Sequence, residues 1–221
     1  MSKQRRWGVE MATLVLFGRP ASGKGTVGQR LASSGYLACS TGQQMREWAA
    51  GPSAEQRALR ETMAAGGYGS DQLAVRIVHE FIVGLPEGST GVILDGFPRD
   101  LAQLDAWLAA PIDHGIAVVV DTPEEVCRDR MLGRMICPEC GWSDHTPATT
   151  CVRCGEVLQR RTDDGDAAVF ERRVGDYEAR VEPVIDAWVR ADLPLIRLDG
   201  TRDVDAISNE LLDEVARLDG A

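Results

Sequence analysis

The sequence lacks the long apolar segments by which proteins enter or cross membranes. No apolar run in its 221 residues approaches the roughly 20 residues that a membrane-spanning helix requires. Residues 1–10 are polar and contain no apolar core of the kind that secretory signals carry. We therefore expect a cytoplasmic protein without a membrane partner.

Positive charge is also in short supply. Lysine and arginine together number 24, against 34 aspartate and glutamate residues, and the formal net charge is −10. A groove for nucleic acid normally needs a basic face, so this balance argues against a nucleic-acid partner. A single nucleotide needs only a local cluster of cations, which an acidic protein can still provide. With 44% hydrophobic residues, the chain is typical of a globular protein with one sizeable core and small insertions.

The clearest motif is a glycine-rich loop behind an apolar run. Residues 13–17 predict a buried strand, and they are followed by Gly18-Arg-Pro-Ala-Ser-Gly-Lys-Gly-Thr26 and by a helical pattern at residues 27–33. In this strand–loop–helix context, backbone N–H groups and the helix start form a concave anion site. Lys24 adds a charge that can reach the outer phosphates of a nucleotide, and Thr26 adds a hydroxyl near the metal. The alternative is a glycine-rich turn without a ligand.

Apolar segments alternate with helical patterns along the rest of the chain. Ser40 or Thr41 is expected to cap a helix that carries Arg46, and Ser70 or Asp71 a helix at residues 72–83. Strands buried on both faces and separated by helices predict a three-layer α/β fold around a five-stranded parallel sheet. The other strands are predicted at residues 36–39, 92–94, 116–120 and 195–198, and the other helices at residues 54–65, 123–131, from 165 to 188, and 204–218.

The segment after the third predicted strand carries charged groups. Asp95 would stand at the carboxyl end of that strand, where open α/β sheets bind ligands and where an Asp commonly holds Mg²⁺ in phosphoryl-transfer enzymes. Gly96 permits close backbone approach, Pro98 stiffens the turn, and Arg99 presents a fork to a phosphate. Gln103 is expected on the same helix face as Arg99, where it could read a base edge.

Four of the six cysteines form two pairs with a two-residue spacer, each pair followed by a glycine: Cys137, Cys140, Cys151 and Cys154. Two such pairs predict a closed tetrahedral site, which structural Zn²⁺ prefers, although iron could fill it in vitro. The insert is too short to build a core of its own, and metal ligation would replace that core. We expect His145 to be a polar loop residue and Cys39 and Cys127 to be buried thiols.

Taken together, these motifs resemble the adenylate kinase family. The segment Val92-Ile-Leu-Asp-Gly-Phe-Pro-Arg-Asp-Leu-Ala-Gln103 is similar to the family's signature, and the loop at residues 18–26 resembles its phosphate loop, including Gly25. The paired cysteines resemble the zinc-bearing lid of some bacterial members. Residues 40–46, 71–73, 161–164 and 199–201 extend the resemblance over nearly the whole chain.

The resemblance implies a fold, a reaction and a set of partners. It implies a nucleoside monophosphate kinase fold with a core at residues 1–39, 70–132 and 165–221, an AMP-binding insert at residues 40–69 and a zinc-binding lid at residues 133–164. The implied reaction is reversible transfer of the terminal phosphoryl group from MgATP to AMP, giving two ADP. The implied enzyme is a monomer with Mg²⁺ and a structural Zn²⁺, and its partners are small nucleotides.

The resemblance also implies the site residues, which fall into four groups. ATP is expected at Ala21, Ser22, Gly23, Lys24, Gly25, Thr26, Arg130, Arg134, Ser143, Asp144 and Arg202. AMP is expected at Thr41, Arg46, Gly67, Tyr68, Gly69, Gly96, Phe97, Pro98, Arg99, Gln103, Arg161 and Arg173. The catalytic group comprises Lys24, Asp95, Arg99, Arg134, Arg161 and Arg173, with Arg172 as the alternative to Arg173. The lid is expected to close with the help of Asp163 and Asp164.

Five positions depart from the family pattern. Gln43 stands where an Asp is usual, Gly69 replaces an aliphatic residue beside AMP, and Asp144 sits where a lid aromatic is common. In the phosphate loop, Arg19 and Ala21 replace a small residue and a glycine. Ala21 must adopt the backbone that the glycine allowed, and we expect strain there.

Other functions remain open at this point. A different nucleoside monophosphate kinase, of the UMP/CMP type, would share most of these motifs. A P-loop ATPase would share the loop, and a zinc-ribbon protein that binds nucleic acid would share the cysteine pairs. The net charge and the segment at residues 95–103 argue against the last of these.

Overall fold

The computed structural model of the protein describes residues 12–64, 70–86, 89–110, 114–145, 148–160 and 167–219, apart from the side chains at positions 42, 43, 46, 63, 64, 144 and 219. Its strands form one large and one small sheet. The strands are β1 (Ala12–Phe17), β2 (Tyr36–Ser40), β3 (Gly91–Asp95), β4 (Ile116–Asp121), β5 (Met135–Ile136), β6 (Ser143–Asp144), β7 (Gln159–Arg160) and β8 (Leu195–Asp199).

The large sheet is parallel throughout and has the order β2-β3-β1-β4-β8. The prediction of a five-stranded parallel sheet is confirmed, although its edge strands β2 and β8 are only partly buried. Strand β1 is central, and Leu16 at its end pairs with Asp95 at the end of β3. The carboxyl ends of these neighbouring strands therefore place the loop after β1 next to the segment after β3.

Both faces of the sheet are buried along its three central strands, β3, β1 and β4. Along β1, Val15 and Phe17 belong to one apolar cluster, and Leu14 and Leu16 belong to a second cluster on the opposite face. This follows from the alternation of side chains along a strand. The continuous apolar runs of the sequence are explained by this double burial, which produces the predicted three layers.

Helices cover the two faces. They are α1 (Lys24–Ala32), α2 (Thr41–Ala49), α3 (Ala54–Ala64), α4 (Asp71–Val83), α5 (Leu101–Ala109), α6 (Glu124–Gly133), α7 (Ala167–Asp176), α8 (Glu182–Arg190) and α9 (Val204–Asp219). The helix α4 begins as predicted, because the Ser70 side chain accepts a hydrogen bond from the N–H of Leu73. The helical insertion between β2 and β3 is also confirmed in the described residues of α2 and α3.

One predicted helix contains an irregular turn. The sequence predicts a continuous helix up to residue 188, and the chain is helical from residue 167 to residue 190, but one turn of π-helix at Tyr177–Val181, called the π-turn below, lies between α7 and α8. Pro183 lies in the first turn of α8 and has no N–H group to bond the preceding turn. The wider turn before it accommodates this missing bond, so the helix continues with helical dihedral angles at both Asp176 and Glu182.

The second insertion contains the small sheet. Strand β5 pairs with β6 and β7, antiparallel in both cases, and the cysteine pairs lie beside these strands. Within the described residues, no helix combines the length and the hydropathy that a membrane crossing demands.

Candidate active site

The loop at residues 18–23 joins the end of β1 to the start of α1. Gly18 and Gly23 have φ angles of 153° and 104°, in the region that favours glycine. A Cβ on Gly18 would stand 2.8 Å from the Val120 carbonyl oxygen, so this position has no room for a side chain. The N-cap residue of α1 accepts no hydrogen bond through a side chain from the first N–H groups of the helix.

The expected strain at Ala21 is present. Ala21 has a φ of 62°, a left-handed conformation that costs about 1–2 kcal/mol for a residue with a Cβ. Its methyl group packs against the small apolar cluster of α6 and α7 that includes Phe170. The loop therefore has the backbone conformation that suits a glycine, although this position holds an alanine.

Lys24 sits among other charges at the start of α1. The residue as a whole is half-buried, but desolvation of its ammonium group lowers its pKa below the usual 10.5. The carboxylate of Asp95 opposes this shift, and the cations Arg134 and Arg99 add to it. The Lys24 Nζ donates a hydrogen bond of 3.5 Å to the Arg19 carbonyl oxygen. An anion in this position would stabilise the charged form of Lys24.

The turn after β8 closes over the loop from another side. Arg130 Nη1 donates to the carbonyl oxygens of Ser22, at 3.2 Å, and Gly200, at 2.9 Å. Thr122 Oγ1 donates to the Ser22 oxygen at 2.9 Å. A Cβ on Gly200 would overlap Thr122, so this close approach requires glycine. Arg130, expected to contact ATP, thus also joins two loops of the site.

The segment after β3 folds back on itself. Arg99 Nε donates to the Gly96 carbonyl oxygen at 2.7 Å, and the Phe97–Pro98 peptide is cis. The expectation that Arg99 and Gln103 share a helix face is wrong, because α5 starts at Leu101 with Asp100 as its N-cap. Gln103 Oε1 instead accepts the N–H of Arg99 at 2.9 Å. The glutamine thus holds the backbone of the arginine.

A cavity of about 1000 Å³ lies between the phosphate loop, the segment after β3 and the lid. Its wall brings together residues that are far apart in the sequence. Of the predicted site residues, the cavity is lined by Ala21, Ser22, Gly23, Lys24, Gly25, Thr26, Asp95, Gly96, Phe97, Pro98, Arg99, Arg130, Arg134, Ser143, Arg173 and Arg202.

The four paired cysteines also come together. The Sγ atoms of Cys137 and Cys154 are 3.4 Å apart, those of Cys140 and Cys151 are 3.6 Å apart, and all four lie within 4.8 Å of one another. Four thiolates about 2.3 Å from one Zn²⁺ would have similar spacings. The N–H groups of Cys140 and Arg153 point at cysteine sulfurs, as the support of thiolate ligands requires. The donor set and geometry therefore fit a tetrahedral zinc ion.

Comparison with known proteins agrees with this geometry. The family model described as adenylate kinase matches residues 16–192, which is more than half of the chain. The chain belongs to the adenylate kinase family. An adenylate kinase of Archaeoglobus fulgidus is 35% identical over 212 residues, which cover 90% of this chain and 95% of that protein. One from Nitrosococcus oceani is 32% identical, covering 89% and 95%, and one from Clostridium tetani is 31% identical, covering 94% and 98%.

Membership of the adenylate kinase family defines the class of reaction. The chain is a nucleoside monophosphate kinase, a phosphotransferase whose substrates are nucleotides. Kinases of this kind use Mg²⁺ with ATP. Thr26 and Asp95 lie in the cavity wall and carry oxygen atoms of the kind that Mg²⁺ prefers as ligands. The four cysteines are compatible with the zinc-bearing type of adenylate kinase lid.

Several residues expected from the adenylate kinase resemblance do not line this cavity. Thr41 and Gln103 are buried, at 3% and 4% exposure, and stand outside its wall. Arg172 is exposed, whereas Arg173 lines the cavity. The side chains of Arg46 and Asp144 lie outside the described part of the structure, as do Gly67, Tyr68, Gly69, Arg161, Asp163 and Asp164.

The cavity wall also contains residues that the sequence did not point to. Trp142, Tyr177 and Arg180 belong to it. Arg180 lies in the π-turn, and neither a family motif nor a periodic sequence pattern indicates this residue or the turn. Trp142 adjoins Ser143 in the lid, and Arg153 lies 4.2 Å above its ring. Its position beside a cysteine pair was the one available signal.

Proposed function

We propose that the protein transfers the terminal phosphoryl group of MgATP reversibly to AMP and so forms two ADP. The observation that carries this proposal is the meeting of Lys24, Arg99, Arg134 and Arg173 in one cavity wall, around a helix start without a side-chain cap. Phosphoryl transfer requires alignment and charge neutralisation more than covalent chemistry. A wall of cations from four separate segments provides both.

ATP is proposed to bind along the phosphate loop. The loop N–H groups and the start of α1 would hold its phosphates, with Ala21, Ser22, Gly23, Lys24, Gly25 and Thr26 as the contact residues. Arg130 and Arg202 would lie towards the adenine and Arg134 towards the phosphates. Ser143 and Asp144 of the lid would complete this site.

AMP is proposed to bind on the side of Asp95 and Arg99. Arg99 and Arg173 would meet its phosphate, together with Arg46 and Arg161, and Gly96, Phe97 and Pro98 would lie against it. The position of Arg173 in the cavity wall favours it over Arg172. Gly67, Tyr68 and Gly69 complete the proposed contact set.

Thr41 and Gln103 are proposed to read the adenine of AMP. Thr41 Oγ1 is buried and has no hydrogen-bond partner among the described residues, which is costly unless a ligand satisfies it. Gln103 uses one lone pair of its Oε1 for Arg99 and retains a second, which could accept from an exocyclic amine. Adenine carries an exocyclic amine and uracil does not, so these two observations favour adenine over uracil.

The chemistry needs no general base from the protein. The second pKa of a phosphate monoester is about 6, so the AMP phosphate is already largely ionised at neutral pH. One of its oxygens would form a bond to the γ-phosphorus while the bond from that phosphorus to the β–γ bridging oxygen breaks, and the leaving group is ADP. When bound at Thr26 and Asp95, Mg²⁺ would supply charge neutralisation for the phosphates. Lys24 and the arginines would stabilise the transferring group.

The lid is proposed to exclude water, which would otherwise accept the phosphoryl group. Gln29 Nε2 of α1 donates to the Gly141 carbonyl oxygen of the lid at 3.1 Å, so lid and core already touch beside the cavity. Asp163 and Asp164 would help to set the closed lid. Zn²⁺ held by Cys137, Cys140, Cys151 and Cys154 would keep the lid folded and take no part in the reaction.

We further propose the division into a core (residues 1–39, 70–132 and 165–221), an AMP-binding insert (40–69) and a lid (133–164). We also propose that the enzyme is a monomer of the cytoplasm. Cys39 and Cys127 are unpaired buried thiols, which suits a reducing compartment. Light scattering of the purified chain tests the monomer.

A coupled assay tests the proposed reaction. ATP is supplied with AMP, UMP, CMP or GMP in turn, and ADP formation is followed. We expect AMP to be phosphorylated faster than the others, with little ATP hydrolysis when no acceptor is present. Faster turnover of UMP or CMP would contradict the assignment to AMP. Rapid hydrolysis of ATP without any acceptor would instead favour an ATPase.

A further inference from the structure

The π-turn at Tyr177–Val181 contacts both halves of the proposed site. Turns of this kind make up well under 1% of protein residues and occur frequently at functional sites. Tyr177, Arg180 and Val181 line the cavity, while the carboxylates of Glu178 and Glu182 face the phosphate loop from behind. The contacts on its two sides reach Arg19 and Asp100, which are 81 positions apart in the sequence.

On the donor side, the π-turn and Glu182, the first residue of α8, hold Arg19. Arg19 Nη2 lies 3.3 Å from Glu182 Oε1 and 3.7 Å from Glu178 Oε1, and its guanidinium carbon is 5.8 Å from the centre of the Tyr177 ring. Gly18 and Pro20 line the cavity, but Arg19 does not. Its guanidinium group thus pairs with two carboxylates behind the loop and does not face the cavity in which the phosphates are proposed to bind.

Arg19 also contacts two other residues of the loop through its main-chain carbonyl group. The Arg19 carbonyl oxygen accepts the N–H of Ser22 at 3.0 Å and the Nζ of Lys24 at 3.5 Å. A fixed Arg19 side chain restricts its own peptide group, so the contact with the π-turn also restricts the loop and the ammonium group of Lys24.

On the acceptor side, the turn holds Asp100. Arg180 Nη2 donates to Asp100 Oδ2 at 2.7 Å. The other carboxylate oxygen of Asp100 accepts the N–H of Gln103 at 3.0 Å, and Gln103 Oε1 accepts the N–H of Arg99. A chain of three contacts thus runs from the π-turn to the backbone of the arginine proposed to bind AMP.

We propose that Arg19 and Arg180 are positioning residues, and that the π-turn between them aligns the donor loop with the acceptor segment for in-line transfer. The proposal rests on the proposed function. Small losses of alignment slow a reaction strongly even when both substrates still bind. A defect of alignment therefore appears in kcat, whereas a defect of binding appears in KM.

Kinetics of single and double variants test this proposal. Arg19→Met and Arg180→Met remove one contact each and keep apolar length. We expect each to lower kcat by about 3- to 10-fold with both KM values within about twofold of the original. Because either change breaks the same alignment, we expect the double variant to lose little more than a single one. Asp100→Asn should behave like Arg180→Met, since Asn still caps α5.

Controls separate alignment from stability and from the proposed reaction. Arg217→Met breaks an exposed ion pair with Glu214 in α9 and should leave kcat unchanged. Arg180→Lys keeps the charge and should restore most of kcat. A kcat within twofold of the original in Arg19→Met and Arg180→Met, or losses that multiply in the double variant, would overturn the proposal. Absence of ADP formation by the unaltered enzyme would instead refute the proposed function, whatever the variants do.

Discussion

The Nζ atom of Lys24 bonds the main-chain oxygen of Arg19 within the same loop, at 3.5 Å. This is a long bond, and it is made by an ammonium group whose burial lowers its pKa. The loop thus keeps a desolvated cation beside a weak neutral acceptor, which a nucleotide phosphate would replace at a gain. The arrangement favours anion binding at the expense of the stability of the protein alone.

Lys24→Met is therefore expected to stabilise the protein while it removes activity. We expect the free energy of unfolding without nucleotide to rise by about 1 kcal/mol, which corresponds to ~2–4 °C in Tm for a chain of this size. The loss of one charge-stabilising group should lower kcat by at least about 100-fold. Thermal unfolding and the coupled assay measure the two effects. A variant with near-normal turnover would contradict the role of Lys24.

The sign of the pH dependence follows from the same pKa. Between the lowered pKa of folded Lys24 and the usual 10.5, the unfolded chain binds more protons than the folded chain. The free energy of unfolding contributed by this group therefore rises with pH across that window. The advantage of Lys24→Met should shrink as the pH approaches 10.5. An advantage that is the same at pH 7 and pH 10 would exclude burial of the charge as its cause.

Ala21→Gly is expected to stabilise the loop. Glycine adopts the left-handed conformation without the cost of about 1–2 kcal/mol that alanine incurs. Opposing this gain, the greater flexibility of glycine stabilises the unfolded state by about 0.4–1 kcal/mol. We expect a net gain of about 0.5–1 kcal/mol in the free energy of unfolding. Ala58→Gly in the exposed face of α3 is the matched control, and it should lose about 1 kcal/mol. Equal losses in both variants would show that the φ of Ala21 carries no strain.

Most of the fold could be predicted because it depends on local patterns. The strands β1, β3 and β4 are continuous apolar runs, and Ser70 caps α4 as Ser commonly does. The spacing within the two cysteine pairs was sufficient to predict that all four cysteines meet at one site. The strain at Ala21 could also be predicted, because a backbone path that suits glycine demands the same φ from any residue.

The remaining features depend on a local helix cap that the sequence analysis missed and on contacts between distant residues. The helix face expected for Arg99 and Gln103 was wrong because Asp100 caps α5 and starts it after Arg99. The π-turn depends on the missing N–H of Pro183 and on packing that no period reveals. Contacts such as Arg19 with Glu182 join residues 163 positions apart, and Arg180 with Asp100 joins residues 80 apart. No sequence spacing encodes these pairs.

Gly25→Ala is expected to affect binding and not folding. Apart from its chain neighbours and the backbone of its own helix, no atom of the described residues lies within 4 Å of where a Cβ on Gly25 would stand, and the residue lines the cavity. The stability should rise by up to about 1 kcal/mol, because Ala is the better helix residue in α1. A methyl group at the phosphate site should raise KM for ATP by about 10-fold.

Gly28→Ala is the matched control for Gly25→Ala. Its Cβ would meet Leu16 at 3.5 Å and Ile93 at 3.7 Å, which are ordinary contacts, and Gly28 lies outside the cavity wall. We expect a similar change in stability and no change in KM for ATP. If Gly25→Ala also leaves KM for ATP unchanged, the close approach of a phosphate to Gly25 is refuted.

The cysteine site is expected to hold about one Zn²⁺ per chain and to stabilise the lid. The clusters that fill the two faces of the large sheet contain none of the four cysteines, and the two buried ones, Cys137 and Cys151, pack with Leu158 in a cluster of their own. Cys140→Ser should therefore abolish zinc binding and unfold the lid at lower temperature while the parallel sheet persists. Metal analysis, thermal unfolding and circular dichroism measure these effects.

Cys39→Ala serves as the control for the zinc site. Burial, with a smaller effect of Glu47, raises the pKa of Cys39 to about 12, so we expect this thiol, which lies outside the four-cysteine cluster, to be unreactive towards alkylating reagents at pH 8. The variant should keep its zinc, and in the unaltered protein a chelator should expose four cysteines to alkylation before Cys39 reacts. Freshly purified protein without zinc or iron, or a Cys140→Ser variant that melts like the original, would contradict a structural metal in the lid.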